Sequence, residues 1–227
     1  MADGRRTARD ALPAARVLAA QAVYTPFTLA GYDWFVLGVS NRYLWHCPTQ
    51  TLQALYDRNV SARHLDIGVG TGFFLDRARF PDKPAITLLD LNRACLGAAA
   101  RRIARYAPAT VQADVLKTLP PMGPFDSVGL CYLIHCLPGA IPAKAVVFDN
   151  LKASLAPGAR VFGATIVCGD APQNAAARLL LRLYNRRGIM ANAADTAADL
   201  KKALEERFTS VKVDLVGTVA LFEATAG

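Results

Sequence analysis

From residue 64 onward, hydrophobic and polar positions along the chain switch repeatedly between two rhythms. Short runs rich in β-branched and aliphatic residues at 64–68, 86–90, 110–115, 125–132 and 159–167 alternate with Ala-, Leu- and Arg-rich stretches of helical period at 73–78, 94–106, 144–155, 174–187 and 196–208. That alternation predicts βαβ units and a largely parallel sheet. The fourth run is apolar almost throughout, as a strand covered on both faces requires. Pro157 and Gly158 are read as the stop of the helix before the fifth strand. Two final runs, 211–217 and 218–224, are joined so tightly that they must be antiparallel, because a parallel pair needs a long crossover. Residues 1–61 do not follow this rhythm and concentrate aromatic side chains, Tyr24, Phe27, Tyr32, Trp34, Phe35, Tyr43 and Trp45 among them. They are expected to form an N-terminal helical lid and substrate-binding segment ahead of an α/β domain at 62–227.

Composition narrows the class. A chain of 227 residues with 53% hydrophobic and 19% charged residues has ample material for one large core. Its net charge of +8 would attract an anionic partner. Much of that charge, however, is arginine at helical spacing, such as Arg101, Arg102 and Arg105, which reads as a solvated face. The five cysteines form no C-x-x-C pair, which argues against a disulfide framework and against a zinc site, and points to a reducing compartment, the cytoplasm. No metal site is expected. No apolar run reaches the length needed to span a bilayer, since His135, Pro138, Pro142 and Lys144 interrupt the longest one, so a soluble protein is expected.

The most informative string is Asp66-Ile67-Gly68-Val69-Gly70-Thr71-Gly72, placed where the first strand turns into the first helix. Its glycines let the backbone bend sharply and approach a ligand closely. A dinucleotide fingerprint needs G-x-G-x-x-G, but the third position is Phe73 counted from Gly68 and Leu75 counted from Gly70. A phosphate-binding P-loop is excluded because no Gly-Lys-Ser or Gly-Lys-Thr follows.

An acidic residue followed by G-x-G-x-G resembles the first motif of the class I S-adenosylmethionine-dependent methyltransferases. Further segments are similar in the same order: Leu89-Asp90-Leu91 at the end of the second strand, Ala113-Asp114-Val115 after the third, and Phe125-Asp126-Ser127-Val128 opening the fourth. Leu133-Ile134-His135-Cys136-Leu137 resembles the family's L-H-H-L segment with Ile for the first His, and Leu155-Ala156-Pro157-Gly158-Ala159 resembles its L-x-P-G-G turn with Ala for the second Gly. The resemblance implies a Rossmann-like, doubly wound, seven-stranded sheet, mostly parallel with an antiparallel C-terminal strand. It also implies S-adenosyl-L-methionine as cofactor, S-adenosyl-L-homocysteine as product, and methyl transfer by in-line displacement to an O, N, S or C nucleophile.

Carried onto this chain, the family pattern places Asp66 at the methionine end of the cofactor, with backbone groups around Gly68, Gly70, Gly72 and Cys131. Asp90, followed by Leu91, would take the ribose hydroxyls, and Asp114 with Val115 would address the adenine. Taken as a residue alone, Asp90 could equally be the N-cap of the helix behind it. His135 follows the fourth strand at the expected mouth of the site. It is the candidate general base, since an imidazole titrates near working pH, although it could serve only as a hydrogen-bonding residue. Tyr32, Trp34, Tyr43 and Trp45, with His46 and Tyr184, are candidate contacts to a flat or apolar small acceptor. Asn185 and Asn192 could add polar contacts. The fourth strand ends in Cys131-Tyr132-Leu133 rather than the N-P-P-Y or D-P-P-Y string of many base and glutamine methyltransferases, and no RNA-binding module is appended. A small metabolite is therefore the expected partner. The alternatives are a cofactor-binding protein without methyl transfer (a sensor, partner subunit or scaffold), an RNA methyltransferase and, least supported, an NAD-dependent oxidoreductase.

Overall fold

The computed structural model describes residues 40–81 and 83–227. Helix α1 (Thr49–Asn59) precedes β1 (Arg63–Ile67), α2 (Phe73–Arg77), β2 (Ala85–Asp90), α3 (Arg93–Arg102) and β3 (Ala109–Gln112). Then follow β4 (Phe125–Cys131), α4 (Ile141–Lys144), α5 (Val146–Leu151), β5 (Leu155–Ile166), α6 (Ala175–Arg186), α7 (Ala197–Glu205), β6 (Thr209–Val216) and β7 (Val219–Thr225). The strands form one seven-stranded sheet in the order β3-β2-β1-β4-β5-β7-β6. Only β7 is reversed, antiparallel to both β5 and β6, as the short link at Gly217 and Thr218 requires. The order reverses between β1 and β4, and in open α/β sheets the crevice at such a switch point, beyond the strands' carboxyl ends, is where ligands bind.

Alternation along each central strand divides the core between two faces. His64 and Asp66 of β1 face α1, α2 and α3, where Leu52, Leu55, Leu75 and Phe162 are buried. Leu65 and Ile67 face the other way, onto a core that includes Phe148, Leu151, Leu200 and Phe222. Helix α1 lies within the segment read as a lid and buries Leu52, Leu55 and Tyr56 in the first of these cores. Residues 1–39, including Tyr32 and Trp34, lie outside the described residues.

One boundary differs from the sequence reading. Pro157 and Gly158 do not stop a helix; they lie within β5, which starts at Leu155. Its pairing with β4 jumps from Phe125↔Leu155 to Ser127↔Arg160, so the extra residues bulge out of the ladder. Gly158 takes a φ of 73° in that bulge and its N–H reaches the Ala226 carbonyl at 3.1 Å. The helix expected at 144–155 is broken into α4, α5 and a short 3-10 turn at Lys152–Ser154.

Among the described residues, no helix is long and apolar enough to cross a membrane, and no group of His, Cys, Asp and Glu is arranged to hold a metal ion. All five cysteines are free thiols.

Candidate active site

The turn after β1 builds the floor of the site. Gly68, Gly70 and Gly72 all have positive φ, at 71°, 51° and 72°. Gly72 precedes α2, and a Cβ there would lie 3.0 Å from the Ala99 Cα, so its absence lets α3 pack tightly under the turn. A Cβ on Gly70 would meet nothing within 4 Å and would project into open space. A side chain there would occupy room that a ligand can use instead.

Around this turn lies a cavity that opens to solvent. Every residue expected to meet the cofactor lines it: Asp66, Gly68, Gly70 and Gly72 from β1 and its turn, Asp90 and Leu91 at the end of β2, Asp114 and Val115 after β3, and Cys131 closing β4. The strand ends place carboxylates along one crevice, with different surroundings for each. Asp90 accepts the Asn92 N–H at 2.8 Å and further N–H groups from Val69 and Gly70. Burial outweighs these donors and pushes its carboxyl up to about 6. It is not the N-cap of α3; that role falls to Asn92, whose Oδ1 accepts the Ala94 N–H at 2.8 Å. Asp114 Oδ1 accepts the Leu116 N–H at 3.1 Å, which turns the chain back after β3. Asp66 is buried, and its Oδ1 accepts the Tyr56 hydroxyl at 2.9 Å. Burial, with Asp66 nearby, pushes the Cys131 thiol well above its ordinary range, so it stays a neutral wall of the cavity.

These residues suit S-adenosylmethionine. A half-buried carboxylate at the end of β2 is a bidentate acceptor for vicinal hydroxyls, and a buried one at the end of β1 is a partner for an ammonium. The space over Gly70 admits close approach of the ligand to main chain.

The residues expected to bind the acceptor or act as base are placed elsewhere. His135 sits in a 3-10 turn, Ile134–Cys136, whose neighbours Leu133, Cys136 and Leu137 line the cavity, but its own side chain does not. The ring is 4% exposed, and its Nδ1 accepts the Ile166 N–H at 3.3 Å with Thr165 Oγ1 at 3.4 Å. Burial, and then the charge of Lys144, push its pKa down to about 3, so the ring is neutral and occupied as an acceptor rather than poised as a base. Trp45 is buried in the core, where its carbonyl accepts the Thr218 N–H at 2.9 Å. His46 Nε2 lies 2.9 Å from Asn174 Nδ2, and Tyr43 is 61% exposed with Arg42 over its ring. Tyr184 is partly buried against the core. None of these four lines the cavity. Asn185 and Asn192 bond each other, and Asn192 Nδ2 donates to the Ile166 carbonyl, so they tie the chain after α6 to the sheet.

The aromatic walls come from residues that were not among the expected site residues: Tyr56, Phe73, Phe74 and Tyr132. Tyr56 stacks on Phe74 at 5.3 Å, and Tyr132 donates its hydroxyl to Asn41 Oδ1 at 2.8 Å. Tyr132 immediately follows Cys131, one of the expected cofactor residues, a signal that could have found it. Tyr56 had none, because a helix ten residues upstream is brought to Asp66 only by tertiary packing.

A family model described as a methyltransferase domain matches residues 65–161. The physcion biosynthesis cluster O-methyltransferase of Aspergillus chevalieri is 38% identical over 206 residues, covering 89% of this chain and 93% of that protein. The demethylluteothin O-methyltransferase of Streptomyces thioluteus is 38% identical over 211 residues, covering 92% of each. Among solved structures, the N-methyltransferase NodS of Bradyrhizobium japonicum in complex with S-adenosyl-L-homocysteine superposes with a TM-score of 0.63 at 17% identity, covering 92% of this chain and 98% of that one. The fold, the glycine turn with its three strand-end carboxylates, and relatives that align over nearly the whole chain agree: this protein belongs to the class I S-adenosylmethionine-dependent methyltransferases.

Proposed function

We propose that the enzyme methylates an acidic hydroxyl, a phenol or an enol, on a small flat metabolite. The observation that carries this reading is the make-up of the cavity wall beside the cofactor residues: Tyr56, Phe73, Phe74 and Tyr132 supply aromatic faces, and no Lys, Arg or His is among the described lining residues. The chain has three histidines, and none of them lines the cavity. An unactivated alcohol would need a base to give up its proton, whereas a phenol or enol reaches its anion with little help. The O-methyltransferases among the relatives support an oxygen acceptor.

When bound, S-adenosylmethionine supplies the methyl group on a sulfonium, from which an in-line displacement can transfer it. The protein's part is positioning and exclusion of water. Asp90 would accept the ribose hydroxyls, Asp66 would take the ammonium, Asp114 and the Val115 N–H would address the adenine, and Cys131 with the glycine turn would hold the methionine portion. The acceptor is assigned to the aromatic wall of Tyr56, Phe73, Phe74 and Tyr132, to which the segment 1–61 contributes Tyr56 of α1. The free cysteines support a reducing, cytoplasmic setting.

Calorimetry is expected to show micromolar binding of S-adenosylmethionine and S-adenosylhomocysteine and none of NAD. With a series of phenols of graded acidity, the apparent pKa of kcat/KM is expected to follow the acceptor's own. A single pKa that ignores the acceptor and persists at saturating S-adenosylmethionine and in Asp90→Asn, where the titration of Asp90 no longer contributes, would point to a protein base and remove the proposal.

A further inference from the structure

His64 is fully buried on β1, two residues before Asp66 and on the same face of the sheet. Its ring is stacked at 5.9 Å on Phe162 and meets Phe80 edge-on at 5.5 Å. Packing accounts for the ring but not for its two nitrogens. Nδ1 lies 2.8 Å from Ser127 Oγ, and the same Oγ accepts the Ser61 N–H at 2.9 Å. A hydroxyl that accepts from an amide still has its own proton to give. Given to Nδ1, that proton leaves Nε2 as the nitrogen that carries the ring hydrogen. Nε2 is buried, makes no hydrogen bond, and stands 3.6 Å from Asp66 Oδ1. The opposite tautomer would turn a nitrogen lone pair toward a buried carboxylate.

The Asp66 carboxylate is also held from other directions. Tyr56, 2% exposed, donates its hydroxyl to Oδ1 at 2.9 Å. Burial, and then the charge of Asp66, push this phenol well above its ordinary value, so it keeps its proton. Gly129 of β4 is paired in register with Asp66, and a Cβ there would lie 2.6 Å from Oδ1. The sheet thus leaves room for the carboxylate on its strand neighbour, and both side-chain contacts fall on Oδ1.

We propose that Tyr56 and His64 are positioning residues that fix Asp66 through Oδ1 and so keep its charge and its other oxygen for the ammonium of the cofactor. This rests on the reading of Asp66 as the partner of that ammonium. Neither residue touches the reacting atoms; both act through Asp66, with Ser127 setting the tautomer of His64.

The test compares two ligands by calorimetry: S-adenosylhomocysteine, which carries the ammonium, and methylthioadenosine, which keeps the nucleoside and thioether but lacks the amino-acid end. The wild type is expected to prefer the first. Tyr56→Phe keeps the ring and its stacking, and is expected to weaken S-adenosylhomocysteine about fivefold while methylthioadenosine changes less than about twofold. His64→Leu is expected to show the same selective loss, and His64→Gln, whose amide N–H can stand in for Nε2–H, to restore most of it. Should His64→Leu fail to fold, Tyr56→Phe and His64→Gln still decide. Equal weakening of both ligands would show a merely structural role and overturn the proposal. If Asp66→Asn abolishes the preference but Tyr56→Phe and His64→Leu keep it, the role of Asp66 stands and the positioning roles fall. A wild type without preference would remove the reading of Asp66, and this inference with it.

Discussion

Replacing Lys144 with alanine is expected to lower the free energy of unfolding by about 3 to 5 kcal/mol. Lys144 and Asp195 are 1% and 0% exposed, with Nζ 2.5 Å from Oδ2. Nζ also donates to the Ala191 carbonyl at 2.8 Å, and Asp195 Oδ1 accepts the Ile141 N–H at 3.1 Å. Burial pushes the lysine down and the carboxyl up, while each partner pulls the other back toward its charged form. The pair therefore exists only as a pair. Removing the ammonium strands a buried carboxylate and frees the segment before α7, which Lys144 ties to α4. The double change Lys144→Met with Asp195→Leu should recover most of the loss, because two apolar groups of similar volume leave no charge uncompensated. Urea unfolding of both variants, followed by near-UV circular dichroism, checks the contrast. A single-site cost below about 1 kcal/mol would mean that the pair is hydrated and that the segment is held by other contacts, such as the bond from the Ala191 N–H to the His135 carbonyl.

What could be read from the sequence follows a physical division. That Asp66, Asp90 and Asp114 line one crevice was legible because it is a main-chain property: each lies near the carboxyl end of a parallel strand, and those ends share one edge. The glycine turn was legible for the same reason. Roles that depend on where a side chain points were not. His135 has cavity-lining neighbours on both sides, but a 3-10 turn sends successive side chains in different directions, and its ring goes to the Ile166 N–H. Trp45 and Tyr43 looked alike as aromatics near a lid, yet one is buried in the core and the other exposed. His64 lies near the amino end of β1, away from the chemistry, and period-two alternation alone shows that it shares a face with Asp66. Its link through Ser127 required the register of β1 on β4. Pro157 and Gly158 read as a helix stop because that is their commonest use; the bulge that contains them is set by the pairing of β5 with β4.

Asp90→Ala is expected to weaken S-adenosylhomocysteine by about 1.5 to 3 kcal/mol, roughly tenfold to a little over a hundredfold, through loss of charge-assisted hydrogen bonds to the ribose. The same carboxylate should be a burden to the protein without ligand. Its pKa is raised from 3.8 to about 6, so the folded state holds the proton more tightly than the unfolded chain does. The ionised form therefore costs stability: nothing below about pH 3.8, a growing amount as pH rises through about 6, and a level cost above that. A shift of that size corresponds to about 3 kcal/mol at most, and partial hydration reduces it. Asp90→Asn keeps an acceptor for the Asn92 N–H, and so should unfold about 1 to 3 kcal/mol less readily than wild type near pH 7. The advantage should vanish near pH 4, where wild-type Asp90 is itself protonated. Wild-type affinity for S-adenosylhomocysteine should correspondingly fall as pH drops below about 6, while the Asn variant shows no such dependence from this position. Denaturant melts at the two pH values, paired with calorimetry, separate the two effects. A folded Asn or Ala variant that binds as well as wild type would mean the ribose lies elsewhere in the crevice; one that loses affinity without gaining stability would mean that water reaches Asp90 freely when no ligand covers it.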